Sequence, residues 1–380
     1  MTKIRQIICI SFVLVTLGIN AQTIKVGADR TDAFLHILKD KKIAIVANQT
    51  SMIKNTHLVD SLLTLQINVL RVFSPEHGFR GIADAGEKVE NKTDDQTGIP
   101  IISLYGSQKK PTQKQLEKIE VLLFDIQDVG ARFYTYISTL HYIMETAAEN
   151  NIQVVILDRP NPNGHYIDGP IREESFKSFV GMHPVPIVHG MTIGEYAKMI
   201  NGEKWINPRC NLTIIKMENY THDLNYGLPI KPSPNLPNSR SVNLYPSLCL
   251  FEGTDISIGR GTEFPFQHYG NPYFESNYSF IPKSREGSKK PKHEGKKCFG
   301  TDLRFQDDYL TEINLRWLIS SYNRYPKKET FFNDFFDKLA GTDKLRLQII
   351  EGKKSKEIKN SWKKGLENFN KIREKYLIYN

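Results

Sequence analysis

The first half of the chain alternates short apolar runs with amphipathic segments. The apolar runs predict β-strands at 42–47, 69–73, 99–104, 121–124 and 154–157. Between them, apolar residues recur at helical spacing over 57–65, 113–119 and 136–150. Strands that alternate with helices are typical of βαβ units. The pattern therefore predicts an α/β fold built on a Rossmann-like parallel sheet.

Polar side chains follow these predicted strands at the points where they end. Asn48, Glu76, Asp125 and Asp158 each come directly, or nearly directly, after an apolar run. In open α/β sheets, ligands bind outside the carboxyl ends of the strands. We therefore expect these four side chains to line one crevice, and that crevice is the candidate site.

The middle of the chain supplies a capped helix and a domain boundary. Thr192 and Glu195 form a capping-box pattern at the start of a predicted helix over 190–200. Residues 227–246 contain five prolines, so we expect a rigid, extended loop there. The end of that loop is the expected boundary between an N-terminal domain, 22–246, and a smaller α/β domain, 247–380.

The N-terminus carries the pattern of an export signal. Lys3 and Arg5 precede an apolar run over 7–17, and Ala21 is a small residue suited to cleavage. A membrane-spanning helix would need roughly 20 apolar residues, so this run is too short to be one. We expect a signal peptide over 1–21, a periplasmic location and no stable membrane insertion.

Composition narrows the class of protein without selecting a ligand. Of the 380 residues, 39% are hydrophobic and 24% are charged, which suits a globular chain of about two domains. These values exclude a disordered tail, a collagen-like repeat and a polytopic membrane protein. The 51 Lys and Arg exceed the 42 Asp and Glu, and the net charge of +9 is too small to identify a partner by itself.

Three cysteines lie beyond the expected signal peptide: Cys210, Cys249 and Cys298. An odd number of cysteines without a CxxC spacing argues against a disulfide framework and against a zinc site. Two interpretations stay open, namely three inert thiols or one pair formed by Cys249 and Cys298.

Several common motifs are absent from the sequence. It contains no GxGxxG or GxxxxGK segment, so we expect no nucleotide cofactor, and no GxSxG elbow of a serine hydrolase. The basic segment 283–297 has no interleaved aromatic residues, and we expect no nucleic-acid partner. We interpret that segment as a solvated insertion or, alternatively, as a region attracted to anionic cell-wall polymer.

A first candidate constellation lies in residues 73–81. Glu76 follows Pro75 on a turn that also contains His77 and Gly78, and such a turn holds a carboxyl group firmly. A positioned carboxyl group is what general acid–base catalysis requires. The alternative is a structural Glu76 paired with Arg80. His77 has no second histidine at ligand spacing, so we expect no metal there.

A second constellation spans residues 125–136. Two carboxylates, an arginine and two tyrosines occur within twelve residues: Asp125, Asp128, Arg132, Tyr134 and Tyr136. Carboxylates, an anion-binding guanidinium group and aromatic faces together suit sugar chemistry. The alternative is structural, with an aspartate that caps the following helix and tyrosines that fill the core.

Two further segments could bind a ligand at the rim of the crevice. One contains Asp158, Arg159 and Asn161, and the other places Arg260 between Gly259 and Gly261, three residues before Glu263. Glycine removes the side-chain obstruction beside Arg260, so this guanidinium group could approach an anionic ligand closely.

With these segments in view, the sequence resembles the exo-β-N-acetylmuramidase family of the NamZ type. The resemblance rests on segments 47–51, 73–81, 85–87, 97–100, 103–106, 124–136, 157–162, 233–235, 252–254 and 259–262. It implies a two-domain glycosidase whose Rossmann-like domain carries the catalytic residues and whose smaller domain closes the cleft. The implied activity is release of N-acetylmuramic acid from the non-reducing end of peptidoglycan fragments.

The resemblance and the residues together give a set of expected site residues. The expected catalytic residues are Glu76, Asp128, Asp125 and Tyr134. The expected substrate-binding residues are Asn48, His77, Arg80, Glu87, Arg132, Tyr136, Asp158, Arg159, Asn161, Arg260 and Glu263. Because N-acetylmuramic acid carries a lactyl carboxylate, we expect one of Arg132, Arg159 and Arg260 to bind it.

Two other functions stay open at this point. One is a non-catalytic protein that binds cell-wall sugar, and the other is a metal-dependent hydrolase that uses His77, Asp125 and Asp128. The sequence does not distinguish a retaining from an inverting mechanism.

Overall fold

The computed structural model describes residues 23–79, 91–305 and 309–380. The expected signal peptide, 1–21, and two expected site residues, Arg80 and Glu87, lie outside the described residues. The strands are β1 (Lys42–Ala47), β2 (Met52–Ile53), β3 (Thr56–His57), β4 (Asn68–Ser74), β5 (Lys92–Thr93), β6 (Pro100–Ser103), β7 (Val121–Asp125), β8 (Gln153–Leu157), β9 (Leu212–Ile215), β10 (His268–Asn271), β11 (Tyr278–Phe280) and β12 (Cys298–Asp302). The helices are α1 (Thr31–Leu38), α2 (Leu58–Thr64), α3 (Gln113–Leu116), α4 (Tyr136–Glu149), α5 (Ile193–Gly202), α6 (Ser239–Leu248), α7 (Leu315–Arg324), α8 (Phe335–Ala340), α9 (Lys344–Ile350) and α10 (Ser355–Arg373).

A seven-stranded sheet in the order β5-β6-β4-β1-β7-β8-β9 forms the N-terminal part. All its pairings are parallel except that of the edge strand β5. The chain runs outward from β1 through β4 to β6, and then returns to the other side of β1 through β7, β8 and β9. This reversal is the strand order of a doubly wound Rossmann fold, so the predicted α/β class is confirmed. The carboxyl ends of β1 and β7 flank the point of reversal.

The burial of the strands explains why the sheet is parallel. Every residue of β7 is buried, and so are the last five of β1, because helices cover both faces. Alternate residues of β1 face opposite sides: Ala44 and Val46 pack with the α4 side, whereas Ile43 and Ile45 pack with α1 and α2. The apolar runs seen in the sequence are therefore strands covered on two faces.

The expectation of an extended loop over 227–246 is wrong for its second half. Helix α6 occupies Ser239–Leu248, and the Asn238 side chain caps it by accepting a hydrogen bond from the Ser241 amide. Pro246 lies inside this helix and has no N–H to donate to the Val242 carbonyl. The Asn163 side chain, from a distant loop, donates to that carbonyl at 3.1 Å instead. The helix therefore tolerates Pro246, because Asn163 satisfies the Val242 carbonyl from outside the helix.

The C-terminal part contains an antiparallel sheet, β10-β12-β11, and helices α7 to α10. Its apolar residues join those of the N-terminal part in one continuous hydrophobic cluster. The chain end also returns to the first sheet, where the Tyr379 hydroxyl donates to Asp158 at 2.7 Å and the Ile378 amide donates to Glu195 at 2.8 Å. The two parts therefore share a core, and the boundary near residue 246 stays a prediction.

The described cysteines are all free and buried. The pairing of Cys249 with Cys298 is therefore wrong: Cys249 lies beyond α6, in the wall of a cavity, and Cys298 begins β12. Burial raises the pKa of the Cys298 thiol to about 12, which keeps it protonated. Within 23–79, 91–305 and 309–380, the helices all fall short of the length and hydrophobicity that a membrane span requires.

Candidate active site

A cavity of about 960 Å³ lies between the carboxyl edge of the large sheet and the C-terminal part. Glu76, Tyr134 and Thr135 line it from the N-terminal part. The facing wall comes from the segments 252–266 and 287–292 and from helix α8. A volume of this size is typical of a small-molecule site.

Glu76 lies on a tight turn directly beyond β4. The Gly78 amide donates to the Pro75 carbonyl at 3.1 Å, and His77 and Gly78 both have left-handed backbones, with φ of 71° and 76°. Such a conformation is costly for a residue other than glycine, so the strain at His77 marks this turn as a candidate functional element. The Thr135 hydroxyl donates to Glu76 Oε2 at 3.0 Å and orients the carboxylate.

Tyr134 lines the cavity near Glu76, whereas Tyr136, which was expected to bind substrate, is buried behind it. The rings of Tyr134 and Tyr136 meet edge to face, with centroids 4.7 Å apart. Asn48 Nδ2 donates to the Tyr136 hydroxyl at 3.0 Å, and the Tyr134 hydroxyl donates to the Pro232 carbonyl at 2.8 Å. Burial raises the pKa of the Tyr134 hydroxyl well above its ordinary value, which keeps it protonated. Tyr134 therefore presents its ring, and not a phenolate, to the cavity.

An ion pair of Glu252 and Arg260 lies in the facing wall, with Oε1 and Nε 2.5 Å apart. Burial by itself would raise the pKa of Glu252, but Arg260 and Lys292 together hold it below its ordinary value. Glu252 is therefore ionised at neutral pH. Among the described residues that line the cavity, Glu76 and Glu252 are the only carboxylates.

The basic segment 283–297 forms part of this wall. Lys289, Lys290 and Lys292 line the cavity, and Lys292 also donates to the Thr254 carbonyl, which fixes the segment to the chain beyond Glu252. Residues 287–292 therefore belong to the cavity wall, whereas 283–286 and 294–297 are exposed to solvent, as expected of an insertion. Its sequence showed the charge but not the proximity, because the contact joins positions 38 residues apart.

Two protein-family models match the two parts of the chain that enclose the cavity. Family models described as exo-β-N-acetylmuramidase NamZ, N-terminal and C-terminal, match residues 43–240 and 243–379. The chain belongs to the NamZ exo-β-N-acetylmuramidase family. It is therefore a glycosidase, and the resemblance noted in the sequence is confirmed.

The relatives of this NamZ family member cover nearly the whole chain. A peptidoglycan β-N-acetylmuramidase NamZ from Bacillus subtilis (strain 168) is 42% identical over 367 residues, which are 90% of this chain and 88% of that protein. Two crystal structures of DUF1343 family proteins from Bacteroides fragilis NCTC 9343 each cover 94% of this chain and 99% of theirs. They have TM-scores of 0.88 and 0.81, at 47% and 29% identity.

Asp125 and Arg159, which were expected to take part in the site, do not line the cavity. They form a buried, bidentate ion pair, in which Arg159 Nε and Nη2 donate to the two Asp125 oxygens at 2.5 and 2.8 Å. A ligand carboxylate would have to displace Asp125 to reach Arg159. The sequence could not show this pairing, because the partners follow different strands of the sheet.

Asp128 and Arg132 also lie behind the cavity wall. Asp128 Oδ2 accepts a hydrogen bond from the Gly130 amide at 2.7 Å, and burial raises the pKa of this carboxyl to about 7. A side chain at Gly130 would collide with Asn161, so the turn requires glycine. Arg132 is fully buried, donates to four backbone carbonyls and does not line the cavity, so a lactyl carboxylate bound there cannot reach it.

The residues expected at the rim have structural partners instead. Asp158 accepts hydrogen bonds from Thr192, Gly194 and Tyr379. Asn161 donates to the Met191 carbonyl. Of the four polar residues that follow strands, only Glu76 lines the cavity, since the other three are fully buried.

The remaining expected residues divide between two places. His77 and Arg260 line the cavity of Glu76, whereas Glu263 lines a second, adjoining cavity. His77, Asp125 and Asp128 do not form a metal-ligating cluster, and none occurs elsewhere in the part of the chain that the structure describes. Sequence reasoning missed Thr135 and the roles of Glu252 and the lysines, although Glu252 lies in one of the family segments.

Proposed function

We propose that this chain is an exported, exo-acting β-N-acetylmuramidase that removes N-acetylmuramic acid from the non-reducing end of peptidoglycan fragments during cell-wall turnover. The observation that carries the proposal is the placement of Glu76 on a strained turn inside a cavity whose facing wall is cationic. The family supports the reaction class, and the relative from Bacillus subtilis is a peptidoglycan β-N-acetylmuramidase.

Glu76 is the proposed general acid or base. Thr135 holds one of its oxygens at 3.0 Å, so the carboxyl group is oriented before substrate binds. Hydrolysis of a glycoside needs a proton for the departing oxygen, and a carboxyl group in this position supplies it.

Glu252 is the proposed second carboxylate. Arg260 and Lys292 keep it charged, and a fixed negative charge stabilises the oxocarbenium-like transition state of glycoside cleavage. Asp128 and Asp125, which the sequence suggested for this role, have no access to the cavity in the structure. Whether Glu252 acts as nucleophile or as base depends on its separation from Glu76 in the complex.

The cationic wall is the proposed site of the lactyl carboxylate. Four cationic side chains face two carboxylates in this cavity: Arg260, Lys289, Lys290 and Lys292 against Glu76 and Glu252. The surplus of positive charge favours an anionic sugar over its neutral counterpart. This wall replaces Arg132 and Arg159 as the proposed anion-binding group.

The test compares a chromogenic N-acetylmuramic acid glycoside with the N-acetylglucosamine glycoside, for the wild type and for Glu76→Gln. We expect selective release from the muramic sugar and a loss of about 10²–10⁴-fold in kcat for Glu76→Gln. Glu329→Gln, an exposed glutamate outside the cavity, is the matched control.

Near-normal turnover by Glu76→Gln would exclude Glu76 as the acid or base. A folded wild type that binds the muramic sugar without releasing the chromophore would support a sugar-binding protein instead. Activity lost on chelation and restored by a divalent metal would support the metal-dependent alternative.

A further inference from the structure

A third cavity, of about 940 Å³, lies in the C-terminal part between α7 and the first turns of α10. Among the described residues, none lines both this cavity and that of Glu76. One side of it is fixed by Lys359, whose Nζ pairs with Asp168 at 3.0 Å and with Glu312 at 2.8 Å. Because the two cavities are separate, the reaction proposed for Glu76 does not explain the lining of this one.

The lining of the third cavity is strongly cationic. Lys359 is paired, but Arg316, Lys354 and Lys356 are exposed and have no ion-pair partner among the described residues. An anionic ligand can therefore pair with these three cations. In all, five cationic side chains line the cavity against one carboxylate: Arg316, Arg324, Lys354, Lys356 and Lys359 against Glu312.

The lysines at the start of α10 do not serve the stability of that helix. Lys354 is its N-cap residue, Lys356 lies in its first turn, and Glu357 is the acidic residue of that turn. The start of a helix carries a partial positive charge, so lysines there are unfavourable. Residues that oppose the physics of their own element are expected at functional positions. An anionic partner explains the placement of these lysines, whereas the helix alone does not.

The uncharged lining indicates which kind of anion fits. None of the described lining residues is aromatic, so the cavity lacks a surface on which a ring-shaped ligand would stack. Amide and hydroxyl side chains pair with the N–H and C=O groups of a peptide, and aliphatic side chains contact small apolar ones. The lining therefore favours an acidic peptide over a glycan or a nucleotide. Its uncharged members are Asn314, Ser320, Asn323, Ser355 and Asn360, together with Leu310, Ile313 and Ile319.

The length of the third cavity matches a short peptide. Its α7 wall runs from Arg316 to Arg324, eight positions along the helix, or about 12 Å at a rise of 1.5 Å per residue. An extended peptide covers about 3.3 Å per residue, so roughly three to four residues lie along this wall.

We propose that the third cavity binds the short acidic peptides attached to the glycan strands of peptidoglycan, through their carboxylates. The inference rests on the proposed function, because peptidoglycan is the polymer on which that reaction takes place. The third cavity then holds the enzyme on the polymer, while the cavity of Glu76 acts on the end of a glycan strand.

The test measures sedimentation of the protein with purified, insoluble peptidoglycan, in the Glu76→Gln background so that the polymer is not degraded. The variant is Arg316→Ala/Lys356→Ala. The matched control is Lys363→Ala/Lys364→Ala, which removes two exposed charges of α10 outside the cavity. We expect the affinity of the variant to fall by at least about tenfold, because charged contacts are lost, and that of the control to stay within about twofold.

Removal of the peptides from the polymer tests what the cavity recognises. On peptidoglycan stripped of its peptides by an amidase, the protein with Arg316 and Lys356 intact should bind as weakly as the variant binds the intact polymer. The released peptides should compete for binding to the intact polymer, and the same peptides with amidated carboxylates should not. Equal losses in variant and control, or undiminished binding of the variant to the intact polymer, would overturn the proposal.

Two controls separate this inference from its alternatives. Binding to phosphatidylglycerol vesicles that depends on Arg316 and Lys356 would assign the cavity to a membrane surface and overturn the peptide assignment. With Glu76 present, Arg316→Ala/Lys356→Ala should leave kcat/KM on the chromogenic N-acetylmuramic acid glycoside unchanged, and a fall there would place these side chains in the reaction instead. A wild type inactive on that glycoside would contradict the proposed function, which the sedimentation assay does not measure.

Discussion

Asp128 is a buried carboxyl group that keeps its proton to a higher pH than an exposed aspartate does. Burial raises its pKa to about 7, although hydrogen bonds from the amides of Gly130 and Val129 oppose this. The unfolded chain releases the same proton near the ordinary value of 3.8. Between these two values the folded state binds more protons, so Asp128 makes the protein less stable as pH rises.

We therefore expect the Asp128→Asn variant to gain stability relative to the wild type as pH increases from about 4 to 8. Asparagine is neutral and can accept the same hydrogen bond from Gly130. Thermal unfolding of both proteins across this range measures the difference in Tm. A constant or narrowing gain would mean that Asp128 is ionised in the folded state throughout.

The pair of Glu252 and Arg260 predicts a shift in the pH dependence of catalysis. Arg260 lowers the pKa of Glu252, so removal of Arg260 in Arg260→Met should raise that pKa. The acid limb of the kcat/KM profile should then move to higher pH, since a larger fraction of Glu252 is protonated at each pH. A profile that drops uniformly without moving would limit Arg260 to substrate binding.

At the scale of single residues, Glu76 lines the cavity, but the sequence could not separate it from Asp125 and Asp158. All three follow strands, and the difference lies in their partners. Asp125 meets Arg159 and Asp158 meets Tyr379, which is 221 residues away. Such partners come from tertiary folding, and no local spacing reports them.

At the scale of elements, the strands were predictable because two-sided burial leaves a continuous apolar run. Helix α5 was predictable as well, since Thr192 and Glu195 form the capping box that the spacing indicated. Helix α6 was not, because Pro246 argues against a helix unless an outside donor replaces the missing N–H. Asn163 is that donor, and its position relative to α6 follows only from the fold.

Because Asn163 supplies the donor that Pro246 lacks, we expect an energetic coupling between these two residues. Asn163→Ala leaves the Val242 and Val129 carbonyls without the donor that they have now, and should reduce the free energy of unfolding by about 2–4 kcal/mol. Pro246→Ala restores an N–H that can reach Val242. It should therefore stabilise the Asn163→Ala variant more than it stabilises the wild type. Urea unfolding of the four proteins gives the interaction energy, and strict additivity would show that the carbonyl has another partner.

At the scale of the whole molecule, Arg132 joins the two parts. Its Nη1 donates to the Pro170 and Val185 carbonyls, and its Nη2 donates to those of Leu339 and Ala340 at the end of α8. Burial lowers the pKa of the guanidinium group to about 9, so it stays charged at neutral pH. The proposed site lies between the parts that this side chain connects, and the geometry of that site depends on their union.

Replacement of Arg132 by methionine should therefore lower the stability of both parts together, by more than about 3 kcal/mol, because buried carbonyls lose charged donors. The three tryptophans allow each part to be observed separately: Trp205 lies in the N-terminal part, and Trp317 and Trp362 lie in the C-terminal part. In a Trp317→Phe/Trp362→Phe background, fluorescence reports unfolding of the N-terminal part. In a Trp205→Phe background, it reports unfolding of the C-terminal part. We expect coincident transitions in both backgrounds, shifted equally by Arg132→Met, since the hydrophobic core is continuous. A C-terminal transition that moves alone would show that the two parts unfold independently.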